Sequence, residues 1–186
     1  MIYHSVAEIF EAINASHDRF SQRVQELNEA QVARRSESGQ WSIADITEHL
    51  AIIDEQVLML VSKLLTRAEA EVKARSDAAI FPINPVSLQQ QLEQARTQKF
   101  QSPEATRPRG GVSVTDSMAR MNKARAELSA LRSRLERIDL SNTSFPHPFF
   151  GKLDLYQWLA FLPAHQERHL RQIEQLVNAP EHKHQA

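Results

Sequence analysis

The chain has no cysteine, few glycines and almost no net charge, and each absence excludes a class of protein. Without cysteine, disulfides, thiolate metal ligands and a cysteine nucleophile are excluded. The formal net charge is -1, from 22 basic and 23 acidic side chains, which lacks the basic excess of a nucleic-acid-binding surface. Only 4 glycines and few β-branched runs are present, a composition that favours helix over strand.

Long apolar runs are also missing. No segment approaches the roughly 20 apolar residues that span a bilayer, so no membrane partner is expected. Residues 1–5 carry neither the basic nor the apolar region of a signal peptide, and we therefore expect a cytoplasmic protein. A length of 186 residues suits one domain, which we predict over residues 1–186.

Apolar residues recur at helical spacing in four long segments, and no strand is predicted. Each segment begins at a residue type that caps helices: Ser5, Ser42, Ser113 or Thr115, and Asp154. Residues 81–114, rich in proline and containing a glycine pair, are predicted to form a partly irregular insertion between the second and third helices, with a short amphipathic helix at 87–97. Residues 179–186 are predicted to form a frayed tail. The pattern as a whole predicts an all-α four-helix bundle.

Three histidines occupy positions where a bundle would have core residues. His165 and His169 are four residues apart and so share one helical face, while His49 interrupts an aliphatic stripe on the second helix. Three imidazoles from two helices can bind one ion and leave an open position, which is typical of catalytic zinc sites. A histidine on an apolar face is nevertheless more often a hydrogen-bonded core residue. Spacing alone leaves both interpretations open.

Two sequence blocks resemble the DinB/YfiT-like superfamily. Residues 40–50, QWSIADITEHL, are similar to the second-helix signature of that family, in which a Trp-Ser entry leads to an inward-facing histidine. Residues 147–151, HPFFG, precede a helix with HQERHLRQI at 165–173, and this arrangement is similar to the family's HP-x-x-G loop and fourth-helix signature. The order and separation of the blocks also fit, so the resemblance covers most of the chain outside residues 67–114.

The resemblance implies a four-helix bundle, often dimeric, with one divalent metal ion bound by His49, His165 and His169. Nitrogen ligands suit zinc and nickel equally, so the ion is expected to be one of these. Relatives include transferases and isomerases that use a low-molecular-weight thiol, and such a cofactor would supply the nucleophile that a chain without cysteine lacks. We therefore expect a metal-dependent thiol transferase or hydrolase that acts on a small-molecule substrate as a homodimer. The alternative is a non-catalytic metal-binding or dimerising module with a structural or vestigial site.

Further side chains are candidates for the surroundings of the ion. His147 either lines the metal pocket or belongs to a structural turn, and the turn is the favoured interpretation. Gln172 either reaches a ligand or bonds a neighbouring helix. Metal-bound imidazoles usually donate their second nitrogen to an acceptor, for which the candidates are Asp45, Glu48 and Asp54.

The remaining features have structural interpretations. Arg107 and Arg109, beside the glycine pair at 110–111, would form either a cationic flap for an anionic ligand or a solvated loop, and the loop is favoured. Trp41 and Trp158 are interpreted as anchors of the hydrophobic core.

Overall fold

The computed structural model describes residues 1–35, 41–71, 80–97 and 101–178. Four long helices within these ranges form the predicted bundle, and short helices and strands connect them. The long helices are α1 (Val6–Gln25), α3 (Ile43–Glu71), α5 (Val114–Ala130) and α7 (Leu155–Asn178). The shorter elements are β1 (Ile2–Tyr3), α2 (Glu29–Val32), β2 (Val86–Ser87), α4 (Gln89–Thr97), a 3-10 turn (Glu104–Thr106), α6 (Arg132–Leu135), β3 (Ser144–His147) and β4 (Gly151–Asp154).

The long helices begin where the capping residues predict. Ser42 and Asp45 exchange two hydrogen bonds, Asp45 N to Ser42 Oγ at 3.1 Å and Ser42 N to Asp45 Oδ2 at 2.8 Å, which forms a capping box at the start of α3. The Ser113 side chain, rather than Thr115, caps α5. Asp154 accepts an amide from the first turn of α7. Local side-chain chemistry therefore fixes where each helix enters the bundle.

Helix α3 packs against both α5 and α7, and α1 packs against α7. The apolar faces form two buried clusters, and along every long helix a polar residue separates one cluster from the other. These four residues, called the polar layer below, are Ser16, Asp54, Arg125 and Gln166. Arg125 donates from Nε and Nη2 to the two carboxylate oxygens of Asp54, at 2.7 and 3.1 Å. Gln166 Oε1 accepts from Ser16 Oγ at 3.0 Å and from Arg125 Nη2 at 3.2 Å, so the layer joins all four helices.

The prediction that strands are absent is wrong for two short ribbons. Strand β1 pairs with β2, and β3 pairs with β4 so that His147 lies opposite Gly151. Gly151 has a φ of +71°, a conformation that glycine adopts without a Cβ penalty, and it closes the tight turn of the β3–β4 hairpin. Strands of two to four residues are too short for an alternating pattern to reveal them.

The insertion at 81–114 is partly regular, and α4 falls within the short helix predicted at 87–97. Its described residues form β2, α4 and the 3-10 turn, joined by irregular chain. Residues 179–186 lie outside the described residues, so the frayed tail stays a prediction. None of the helices within the described ranges is long and apolar enough to cross a membrane.

Candidate metal centre

The bundle brings His49, His165 and His169 together. One ring nitrogen from each histidine lies within 4.8 Å of the others, although His49 comes from α3 and the other two from α7. His165 Nε2 and His169 Nε2 are 3.3 Å apart. The rings of His165 and His169 are also close to that of His49, with centroids 5.2 and 5.0 Å away. The helical spacing of the pair and the packing of α3 on α7 together produce this convergence.

A backbone carbonyl fixes the tautomer of His49. Nδ1 of His49 lies 2.6 Å from the carbonyl oxygen of Thr106. Because a carbonyl oxygen only accepts, Nδ1 carries the proton and donates it, and Nε2 keeps a free lone pair. The imidazole is 3% exposed, so few other orientations are open to it.

A side-chain amide does the same for His169. Nδ1 of His169 lies 2.9 Å from Gln172 Oε1, one turn further along α7. Nε2 of His169 lies 3.1 Å from Nη2 of Arg168, which only donates, so Nε2 is the unprotonated nitrogen. Both His49 and His169 therefore present Nε2 as a Lewis base, each oriented through the opposite ring nitrogen.

Burial keeps the cluster uncharged at neutral pH. It lowers the pKa of His49 to about 4 and holds the pKa values of His165 and His169 well below the ordinary value. Neighbouring positive charge lowers the pKa values further: the other two imidazoles act on His165, and the Arg168 guanidinium followed by His49 acts on His169. Three neutral imidazoles offer lone pairs to a cation without first releasing protons.

The donor set fits a first-row divalent ion. Two nitrogens bound at about 2.05 Å to a tetrahedral zinc ion would be about 3.3 Å apart, which matches the separation of His165 Nε2 and His169 Nε2. Imidazoles that converge inside the core are costly to bury without a shared partner, and a cation at their centre would supply that partner.

The three histidines line a cavity of about 1140 Å³, large enough for a small molecule. Six aromatic side chains contribute to its wall: Trp41, Phe145, Phe149, Phe150, Trp158 and Phe161. Trp41 stacks obliquely over His49, with ring centroids 4.8 Å apart, and Phe161 lies 4.8 Å from His165. The interpretation of Trp41 and Trp158 as core anchors is therefore incomplete, because both also face the cavity.

His147 serves the turn and the cavity at once. Its Nδ1 accepts the backbone amides of Phe149 and Phe150 at 3.2 and 3.3 Å, which holds the β3–β4 turn closed. An Nδ1 that accepts leaves the proton on Nε2. The ring stacks on Phe150 with centroids 4.5 Å apart, and it lines the cavity without belonging to the histidine cluster.

Residues 101–111, called the docking loop below, form another wall and are held by adjacent residues of α3. Glu48 accepts the amides of Arg109 and Gly110 at 3.1 and 3.0 Å, while His49 holds the carbonyl of Thr106. Gln56 Nε2 donates to the carbonyl of Ala105 at 2.9 Å. The loop is thus docked by one carboxylate, one imidazole and one amide of α3.

The hydrogen-bond acceptors of the cluster imidazoles are not the three carboxylates that the sequence suggests. Of the three candidate carboxylates, Asp45 caps α3, Glu48 holds the docking loop and Asp54 pairs with Arg125. Gln172 bonds His169 on its own helix rather than a neighbouring helix. Thr106 was missed because its contribution is a main-chain oxygen, which any residue type supplies.

The similarity of this chain to known proteins extends over most of its length. The family model of the DinB superfamily matches residues 12–173. The uncharacterized protein YuaE of Bacillus subtilis (strain 168) is 28% identical over 151 residues, which cover 81% of this chain and 85% of that protein. The crystal structure of TT2238, a four-helix bundle protein, superposes with a TM-score of 0.59 at 19% identity and covers 91% of this chain and 98% of that one.

Proposed function

Because the chain belongs to the DinB superfamily, we propose that His49, His165 and His169 bind one divalent ion, zinc or nickel, and that the protein is a metal-dependent thiol transferase or hydrolase. The observation that carries this proposal is the convergence of three neutral imidazoles on the wall of a cavity of about 1140 Å³. A structural ion needs no cavity, whereas a catalytic one needs room for substrate at an open position. The small-molecule substrate and the homodimer belong to the same proposal.

The proposed ion would activate a nucleophile that the chain itself does not supply. A bound divalent ion would lower the pKa of a thiol or a water, so that either is a nucleophile at neutral pH. The chain itself has no cysteine, so in a transfer reaction the sulfur must come from a separate low-molecular-weight thiol.

The protein's own groups prepare the site. The carbonyl of Thr106 and the amide of Gln172 orient two of the imidazoles, so their lone pairs are in place before any ion arrives. His147 adds a neutral Nε2–H donor on the cavity wall. The aromatic walls would contact the apolar body of a bound substrate.

Two measurements on one preparation test the proposal. Elemental analysis of untagged protein is expected to find about one zinc or nickel per chain, lost in His169→Ala and kept in His4→Ala, which changes an exposed histidine outside the cluster. Protein reconstituted with zinc or nickel is expected to accelerate transfer of glutathione or cysteine to a bimane electrophile, and His169→Ala is not.

The outcomes separate the two functions. Metal at one per chain without any thiol transfer or ester hydrolysis would favour the non-catalytic module. Protein that purifies without metal and gains no thermal stability from added zinc or nickel would contradict the metal site itself.

A further inference from the structure

We infer that this cavity selects small molecules that carry a negatively charged group on an apolar or aromatic body, and that Arg107 and Arg168 bind the charge. The inference rests on the proposed function, because it concerns the substrate of the same site. It assigns a specificity role to two side chains outside the histidine cluster, of which Arg168 already contacts His169.

Among the described residues, the charged groups that line the cavity are all cationic. Arg107 and Arg168 lie in its wall, and no aspartate or glutamate among the described residues does so. The carboxylate of Glu48 is close in sequence to His49 but is occupied by two amides of the docking loop. A concave site with cationic groups and no carboxylate attracts anions and repels cations.

Neither arginine has a carboxylate partner within the described part of the chain. Arg107 makes one side-chain hydrogen bond, from Nε to the carbonyl oxygen of Ser102 at 2.9 Å. Arg168 has only the contact of its Nη2 with His169 Nε2. Other arginines of α1, α3 and α5 form ion pairs, for example Arg23 with Glu174 and Arg120 with Glu55. The two cavity arginines therefore retain most of their donors for a ligand.

The contact between Arg168 and His169 would compete with the proposed ion. Nη2 of Arg168 lies 3.1 Å from Nε2 of His169, the lone pair that the proposed ion would use. An ion bound there would take this acceptor from Arg168 and would place a divalent cation beside the guanidinium. A carboxylate or sulfonate between the ion and the guanidinium would offset both charges, whereas a neutral ligand would leave them to repel each other.

The aromatic walls define the rest of the ligand. The rings of Phe161, Trp158 and Phe150 form a continuous apolar surface around His147, with neighbouring centroids 4.5 to 5.1 Å from its ring. A flat hydrocarbon body would bury against this surface while its charged end remained at the arginines. A small inorganic anion alone would forgo that contact.

A matched pair of ligands tests the inference. Isothermal titration of the zinc-loaded full chain with 2-naphthoate and with 2-naphthamide compares a charged and a neutral group on the same ring system. We expect the carboxylate to bind about tenfold tighter or more, which corresponds to one or two charge-assisted hydrogen bonds. We expect Arg168→Met and Arg107→Met each to remove most of this preference. Arg171→Met is the control, since Arg171 is an exposed cation on the same helix outside the cavity.

Failure of the inference and failure of the metal site give different results. Equal binding of the acid and the amide, or a preference that survives in the Arg107→Met/Arg168→Met double variant, overturns the anion site whatever the metal content. Absence of zinc binding overturns the proposed function, and the same titration of the metal-free protein still measures the preference between the two ligands. Both arginines are exposed, so their replacement is not expected to disturb folding, which thermal melts would verify.

Discussion

The carboxylate of Glu48 accepts the backbone amide of Gly110 at 3.0 Å, across 62 positions of sequence. Its neighbour His49 holds the carbonyl of Thr106 in the same loop. These two consecutive residues of α3 have different roles. Glu48 fixes the docking loop, and His49 is oriented by the same loop through its Nδ1. Affinity for the proposed ion should therefore depend on the position of the loop.

Replacement of Glu48 by leucine is expected to release the docking loop. The change leaves two amides without acceptors, so we expect a loss of about 2 kcal/mol in the free energy of unfolding. Trypsin should cut at least about tenfold faster after Arg109, because the amide that follows is the one Glu48 holds. Limited proteolysis with mass spectrometry measures this. Glu69→Leu, which removes a surface ion pair on the same helix, is the control, and equal cleavage in both variants would contradict the docking role.

Gln172 is expected to control metal affinity without being a ligand. In Gln172→Leu the Nδ1–H of His169 loses its acceptor, and zinc should bind about 10 to 100-fold more weakly in a competition assay with a chromophoric chelator. Gln172→Glu keeps an oxygen at the same position and should restore or strengthen binding. Zinc affinity in Gln172→Leu equal to that of the unchanged chain would show that the hydrogen bond does not orient the ligand.

Removal of one partner of the Asp54–Arg125 ion pair is expected to lower the free energy of unfolding more than replacement of both partners. Asp54 is 4% exposed, and burial raises the pKa of its carboxyl while Arg125 opposes that rise. Arg125→Met should therefore destabilise the fold by about 3 kcal/mol or more, since it leaves a buried carboxyl without its partner.

The double variant Asp54→Leu/Arg125→Met should recover most of that loss. Urea unfolding of the two single variants and the double variant completes the cycle. If the double variant is as unstable as the sum of the singles, the two residues act independently and the pairing contributes nothing.

His147 is expected to make the stability depend on pH. Burial lowers its pKa to about 4 in the folded chain, against an ordinary value of about 6.5. Between these values the unfolded chain binds the proton more tightly, so the free energy of unfolding falls as the pH drops from 7 to 4, by up to about 3 kcal/mol.

The matched variant for this effect is His147→Asn. Its side-chain oxygen can accept the amides of Phe149 and Phe150 but does not titrate in this range. Urea unfolding with a chelator present, at several pH values, should give a flatter profile for the variant. The buried cluster histidines are common to both proteins and cancel in the difference. Parallel profiles would mean that His147 is protonated equally in the folded and unfolded chains.

The sequence allowed the bundle to be predicted because its signals are local. Helical spacing of apolar residues and the caps at Ser5, Ser42 and Asp154 depend on neighbours a few positions away. The pair His165 and His169 is local in the same sense. His49 joined them through the family resemblance, since nothing in its own helix indicates which residue it will face.

The surroundings of the site could not be predicted for physical reasons. Thr106 contributes a carbonyl oxygen, which has no residue signature, and Glu48 looks like any acidic residue until the docking loop is folded onto it. Trp158 lies on the apolar stripe of α7 and Trp41 lies just before the cap of α3, and both positions predict burial but not that one edge borders a cavity. Each of these features arises from contacts between segments distant in sequence.

The polar layer fixes the register of the four helices along the bundle axis. A slip of α7 by one turn, about 5.4 Å, would carry Gln166 away from Arg125 and bury its amide among hydrocarbon side chains. Aliphatic contacts between helices would not prevent this slip, because one aliphatic contact can replace another of similar size. The polar layer therefore fixes the axial register of the helices. Because Gln166 follows His165 directly, this register also determines the position along the bundle at which the α7 imidazoles face His49.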